Sequence, residues 1–290
     1  MRHLSRRAAF AFLAVCLTSS LPAQATRSRI GCADAPPTWI WCDDFEVDRI
    51  HSYFEYDGAD GRFTREAGVG RGGSYGMRVR YLARIVGAGH LSLAMGKTPD
   101  RYFRTIDSGR VIYRDIYWRV FMRLQPGWNG GGGYKLSRVM VMATPAWAEA
   151  AIAHVWSGRP AQGNTLLLDP ASGTDPAGAL RTTKYNDFDH LRWLGLTHGH
   201  APIFDPGRAG QWVCIEAHAR LNDPGQSNGV EELWIDGRLD ARVAGINYLG
   251  SFSQYGWNAL NLENYWNDGA PRDEERYLDD FVVATERIGC

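Results

Sequence analysis

From residue 76 to the C-terminus the chain alternates apolar and polar side chains in short runs, separated by turn residues. Alternation of this kind marks half-buried strands, because successive side chains on a strand project to opposite faces. It predicts strands over 76–84 (GMRVRYLAR), 116–124, 135–143, 151–156, 165–169, 211–222 (QWVCIEAHARLN), 231–243, 259–266 and 277–285. Asp236-Gly237 predicts a hairpin, since both residues suit the positive φ of a tight turn. LNDPGQSNG, residues 221–229, is dense in turn residues and predicts a loop. No segment keeps a helical period over three turns; TPAWAEAAIAH (144–154) comes nearest. Residues 170–209, rich in Gly, Asp, Pro and His, read as a long excursion from the sheets, and loops of that length are usually functional. The pattern implies an all-β chain: a two-sheet antiparallel β-sandwich of the jelly-roll type in one domain over 26–290.

The first 25 residues stand apart from this pattern. Arg2, Arg6 and Arg7 precede the apolar stretch AAFAFLAVCL, and Ala23-Gln24-Ala25 offers a small-x-small cleavage site. Residues 1–25 therefore read as a secretory signal peptide, and the expected location is secreted or periplasmic. Neither this stretch nor any later one is long and apolar enough to span a membrane. With the leader removed, the 32 basic side chains fall to 29 against 32 acidic ones. No bulk field therefore favours nucleic acid or an anionic membrane.

Four of the five cysteines remain after cleavage: Cys32, Cys42, Cys214 and Cys290. An even count in an exported chain suggests disulfides, with three connectivities open. Cys290 ends the chain and Cys32 and Cys42 begin the mature part, so a bridge tying the two termini is expected, with Cys214 a buried thiol. None of the spacings matches a zinc site.

The run 211–222 raises a question of its own. Val213, Ile215, Ala217, Ala219 and Leu221 form one row, and Trp212, Cys214, Glu216, His218 and Arg220 form the other. Comparable polar rows occur at Tyr117, Arg119, Phe121 and Arg123, at Lys135 and Ser137, and at Asn261, Glu263 and Tyr265. A solvated sheet face would also alternate in this way, its charges pairing across strands.

The second half resembles a known family. GQWVCIEAHARLNDPGQSNGVEELWIDGRL, then LNLENYW, then RYLDDFVVATERIGC resembles the concanavalin A-like lectin/glucanase jelly roll. Within it, the likeness is to polysaccharide lyases of family 14, the alginate and glucuronan type. YWRVFMRLQPGW and GGGGYKLSRV match the family's aromatic strand, Pro-Gly turn and Gly-Lys-Leu segment, although Ser137 stands where the family usually has Pro. The likeness covers about residues 110–143 and 210–290 and is poor over 144–209. It implies a β-sandwich whose curved sheet lines a glycan groove with its outer face. Trp212, Glu216, His218 and Arg220 are then expected in the groove, along with the neighbouring rows.

Such a groove would suit β-elimination on an acidic polysaccharide, the expected partner. That reaction needs a base for the proton α to a carboxylate, an acid for the departing oxygen, and groups that stabilise the enediolate. His218 and Tyr265 are the candidate base and acid. Arg119, Lys135 and Asn261 are the candidate stabilisers, Lys135 matching the lysine of the family's segment. Trp212, Glu216, Arg220, Tyr117, Arg123 and Glu263 are expected to hold substrate. Elimination requires no cofactor. The resemblance also implies a structural calcium, with Glu46 and Asp280 as ligands among the acidic residues of the first and last strands. Two other functions fit the same fold: a non-catalytic carbohydrate-binding module, and a glycoside hydrolase in which Glu216 and Glu263 would be the carboxylate pair.

Overall fold

The computed structural model describes residues 31–128, 134–157 and 164–290. The expected leader, residues 1–25, lies outside the described residues. Seventeen strands are described, in chain order: β1 (Trp39–Asp43), β2 (Glu55–Asp57), β3 (Phe63–Glu66), β4 (Gly76–Tyr81), β5 (Gly87–Ala94), β6 (Asp115–Leu124), β7 (Tyr134–Met142), β8 (Glu149–Ser157) and β9 (Leu166–Leu168). They continue with β10 (Ala171–Ser172), β11 (Arg192–Trp193), β12 (Thr197–His198), β13 (Trp212–Arg220), β14 (Gly229–Ile235), β15 (Arg238–Ile246), β16 (Ala259–Trp266) and β17 (Glu274–Ala284). The alternating runs thus became strands, and 144–154 supplies the start of β8 rather than a helix.

The strands form two antiparallel sheets. The first runs β15-β14-β13-β6-β17-β4-β3, with β1 also on β17. The second runs β11-β10-β8-β7-β16-β5-β2, with β9 on β8 and β12 on β9. Between them lies one apolar layer, to which β13 gives Val213, Ile215, Ala217 and Ala219, β7 gives Val139 and Val141, and β16 gives Leu260 and Leu262. The Asp-Gly turn forms as expected: Asp236 (φ 50°) and Gly237 (φ 80°) both sit in the left-handed region between β14 and β15.

The excursion 170–209 is not a free loop. Its strands β10 and β11 extend the second sheet beyond β8, and β12 adds to β9. Thr182 Oγ1 donates to the Glu149 carbonyl at 2.7 Å, and the Asn186 amide donates to Glu149 Oε2 at 2.8 Å. Both bonds pin the excursion along β8.

The polar row of β13 faces outward from the first sheet, away from the second. There it docks the C-terminal tail. Glu216 accepts from the amides of Ile288 (2.6 Å) and Gly289 (3.1 Å), and Arg119 donates to the Gly289 carbonyl at 3.0 Å. Cys214 is disulfide-bonded to Cys290, and Cys32 to Cys42. The expected bridge between the termini does not form: the tail crosses back over the sheet to β13, whereas Cys32 closes a short loop onto β1. Cys214 is a half-cystine and not a free thiol.

Candidate functional site

The outer face of the second sheet carries a groove of about 540 Å³. Register explains its floor. One cross-strand row runs His154 (β8), Arg138 (β7), Asn261 (β16), Ser92 (β5) and Glu55 (β2). A second runs Trp156, Lys135 and Tyr265, and a third joins Glu263, His90 and Asp57. The rows are offset by bulges in β7 between Lys135 and Ser137 and in β16 between Glu263 and Tyr265. A bulge adds one residue and reverses the alternation beyond it. Lys135 and Arg138 therefore both line the groove although three positions apart, whereas Ser137 turns inward to accept from Trp118 Nε1.

Arg276 holds both bulges from beneath. It comes from β17 of the opposite sheet, is fully buried, and donates to the Glu263 carbonyl (2.8 Å), Asn264 Oδ1 (2.5 Å) and the Lys135 carbonyl (3.3 Å). The far wall comes from the excursion, as Tyr185, Asn186, Phe188 and Trp193.

Arg138, 1% exposed, is the hub of the floor. Its Nη2 lies 2.8 Å from Glu263 Oε1 and its Nη1 3.6 Å from Glu149 Oε1. It also donates to Asn186 Oδ1 at 2.8 Å and to the Tyr185 hydroxyl. Burial pushes the Glu149 carboxyl up to about 7 against the pull of Arg138. Burial likewise pushes the Tyr185 phenol up, so it keeps its proton. Lys135, forming no ion pair with a described residue, has its ammonium lowered by burial, and its Nζ sits 5.6 Å from the centre of the Tyr265 ring. Glu263 Oε2 and Asn261 Oδ1 are buried with no hydrogen-bond partner among the described residues.

His154 is buried on β8 and lines the groove. Its Nδ1 lies 3.0 Å from the Asp169 carbonyl, an acceptor only, so Nδ1 bears the hydrogen and Nε2 keeps its lone pair. Burial, with Arg138 and Lys135 nearby, holds the imidazole well below its usual value and therefore neutral.

The expected site residues divide between the two sheets. Lys135, Glu263 and Tyr265 line this groove, and Asn261 lies in its floor, with Nδ2 3.4 Å from the Tyr185 hydroxyl. His218, Arg119, Trp212, Glu216, Arg220, Tyr117 and Arg123 lie on the outer face of the first sheet, across the core. There His218 is held 2.7 Å from both Asp115 and Glu232 and stacks on Tyr117. Arg123 sits between the rings of Trp212 and Tyr277, and Arg220 reaches Asp223 at 3.5 Å. Alternation distinguishes inward from outward but not one outer face of a sandwich from the other. Glu216 and Glu263 are on different sheets and form no hydrolytic pair.

Sequence reasoning missed Arg138, Glu149 and Tyr185 and did not place His154 among the candidates. The available signals were an arginine at the head of the apolar run VMVM (139–142) and a lone imidazole between Ile152 and Trp156. The calcium set does not fit a cation here. Asp280 is paired with Arg71 at 2.5 Å, Asp43 accepts from Tyr53 and the Phe45 amide, and Glu46 is exposed. Among the described residues no three His, Cys, Asp or Glu side chains converge as metal ligands.

Solved structures share this architecture. An endo-β-1,4-glucuronan lyase from the fungus Trichoderma reesei superposes with a TM-score of 0.59 at 11% identity, over 86% of this chain and 96% of that one. The fold is the concanavalin A-like jelly roll. A marine family 14 alginate lyase from Aplysia kurodai gives 0.57 at 11% identity, covering 86% and 100%, and the alginate lyase vAL-1 from Chlorella virus gives 0.55 at 11%, covering 81% and 94%. No protein-family model matches the sequence, and no curated protein does. No helix among the described residues is long and apolar enough to cross a membrane.

Proposed function

We propose that the protein cleaves an acidic polysaccharide by β-elimination in the groove of the second sheet. The observation that carries this reading is the neutral His154, its Nε2 lone pair left available in a groove that also holds Lys135 and Arg138. In the proposed reaction Nε2 takes the proton from the carbon next to the uronate carboxylate. That electron pair forms the ring double bond, and the bond to the glycosidic oxygen breaks. Tyr265, 46% exposed at the groove mouth, gives its proton to the departing oxygen. Lys135, with Asn261 beneath, meets the carboxylate as its charge spreads into the enediolate, where fixed cations and dipoles act most strongly. Two disulfides suit an oxidising, extracytoplasmic setting for such a substrate.

The test is the near-ultraviolet absorbance of the unsaturated uronate that each elimination creates, followed over a panel of uronate polymers. A rise that disappears in His154→Gln and Lys135→Ala supports the reading. A flat trace despite binding moves the protein to a non-catalytic carbohydrate-binding role, which the exposed rings of Trp193 and Phe188 would serve.

A further inference from the structure

We infer that the groove is matched to a heteropolysaccharide in which a single uronate stands between sugars that carry no negative charge. The elimination reading sets the role of the central uronate. Selectivity follows from the charge and hydrogen-bond capacity along the groove.

Among the described residues, the lysine and arginine that line the groove both sit at its centre. Arg138 is already met by Glu263 and Glu149, which leaves Lys135 as the cation without an ionic partner among the described groove residues. Towards β5 and β2 the floor leads into a hollow of about 350 Å³ lined by Phe54, Glu55, Tyr56, Asp57, His90 and Tyr102, and His90 lines both spaces. His90 is flanked there by Glu55 at 3.6 Å and Asp57 at 3.9 Å, and the Tyr102 hydroxyl donates to Glu55 at 2.7 Å. A second uronate in this hollow would meet two carboxylates.

In the other direction the wall is aromatic. Trp193, 47% exposed, stacks on His154 with ring centres 5.8 Å apart and faces Phe188, 51% exposed, at 6.5 Å. Such rings offer an apolar platform to the C–H face of a sugar and no counter-charge to a carboxylate. Glu263 makes the same demand from the floor. It is nine-tenths buried, lines the groove, and its Oε2 is without a partner among the described residues. A lone carboxylate oxygen takes a sugar hydroxyl as donor and repels a second carboxylate placed beside it. On each side of the central position, then, the described groove recognises hydroxyls and ring faces.

The probes are deacylated gellan, whose repeat sets each glucuronate among neutral hexoses, and polyglucuronate. Elimination is followed by ultraviolet absorbance, and fragment binding by titration calorimetry. We expect kcat/KM and affinity to favour the gellan-type chain by about tenfold or more, which is roughly 1.4 kcal/mol. Glu55→Gln with Asp57→Asn should narrow that gap by about fivefold, the scale of an exposed charge contact. Equal or better use of polyglucuronate overturns the inference while leaving the lyase reading in place. Tighter binding of gellan fragments without turnover keeps the inference and overturns the lyase reading. Binding of neither overturns both. A gap that the double variant does not move overturns the charge argument.

Discussion

Arg138 Nη2 lies 2.8 Å from Glu263 Oε1 on the adjoining strand, and the arginine is 1% exposed. A buried pair of this kind need not add net stability, but removing one member leaves the other charged and uncompensated. Arg138→Met should destabilise the fold by about 3 kcal/mol, read from urea unfolding. Glu263→Gln should cost less, because the Arg138 guanidinium keeps Glu149, Asn186 and Tyr185.

Lys135 lines the groove and forms no ion pair with a described residue. Lys135→Ala should lower the elimination rate by about a hundredfold or more, with KM moving less, because in the proposed reaction its charge acts mainly on the enediolate. Circular dichroism should be unchanged. A rate within threefold of wild type would remove Lys135 from the reaction.

His154 gives the pH dependence. Burial depresses its folded value well below the ordinary 6.5, so between those limits the unfolded chain binds a proton that the folded chain does not. Stability from this residue is full above about 6.5 and falls as pH falls through that window. His154→Gln should flatten that part of the stability curve. The wild-type elimination rate should also persist below pH 6.5, where an ordinary imidazole would be mostly charged and no base. A rate that halves at the ordinary value would argue against His154.

Arg276 lies beneath the groove on the carbonyls of Lys135 and Glu263, and the proposed site depends on it for position. Arg276→Met should reduce kcat by about tenfold through displacement of Lys135 and Glu263, with Arg276→Lys restoring part of the loss. Equal loss in both variants, with a matching fall in melting temperature, would assign Arg276 to general stability only.

The Cys214–Cys290 bridge fastens the tail on the far sheet. Cys290→Ser opens a loop with a sequence separation of 76 and should cost about 4 kcal/mol of stability. Elimination below the melting transition should not change, because the tail and the groove lie on opposite outer faces. A lost rate would show coupling across the core.

By itself the sequence determined the fold class, the positions of the longer strands other than β5, and the Asp236-Gly237 hairpin. Each depends on local alternation or on one residue's backbone freedom, and both are written along the chain. Short strands such as β1 to β3 escaped because a few residues carry too little period. The candidate site was legible only in part: Lys135, Asn261, Glu263 and Tyr265 share one groove, whereas His218 and the rest of the β13 row, expected beside them, lie on the opposite outer face. Alternation reports which side chains leave the core, but a sandwich has two outer faces, and only strand order places β13 and β6 in one sheet and β7, β8 and β16 in the other. The bulge after Lys135 completes the difference. One extra residue in β7 turns Arg138 out of an apolar run and into the floor of the groove, and that choice is made by the neighbouring strands and by Arg276 from the opposite sheet.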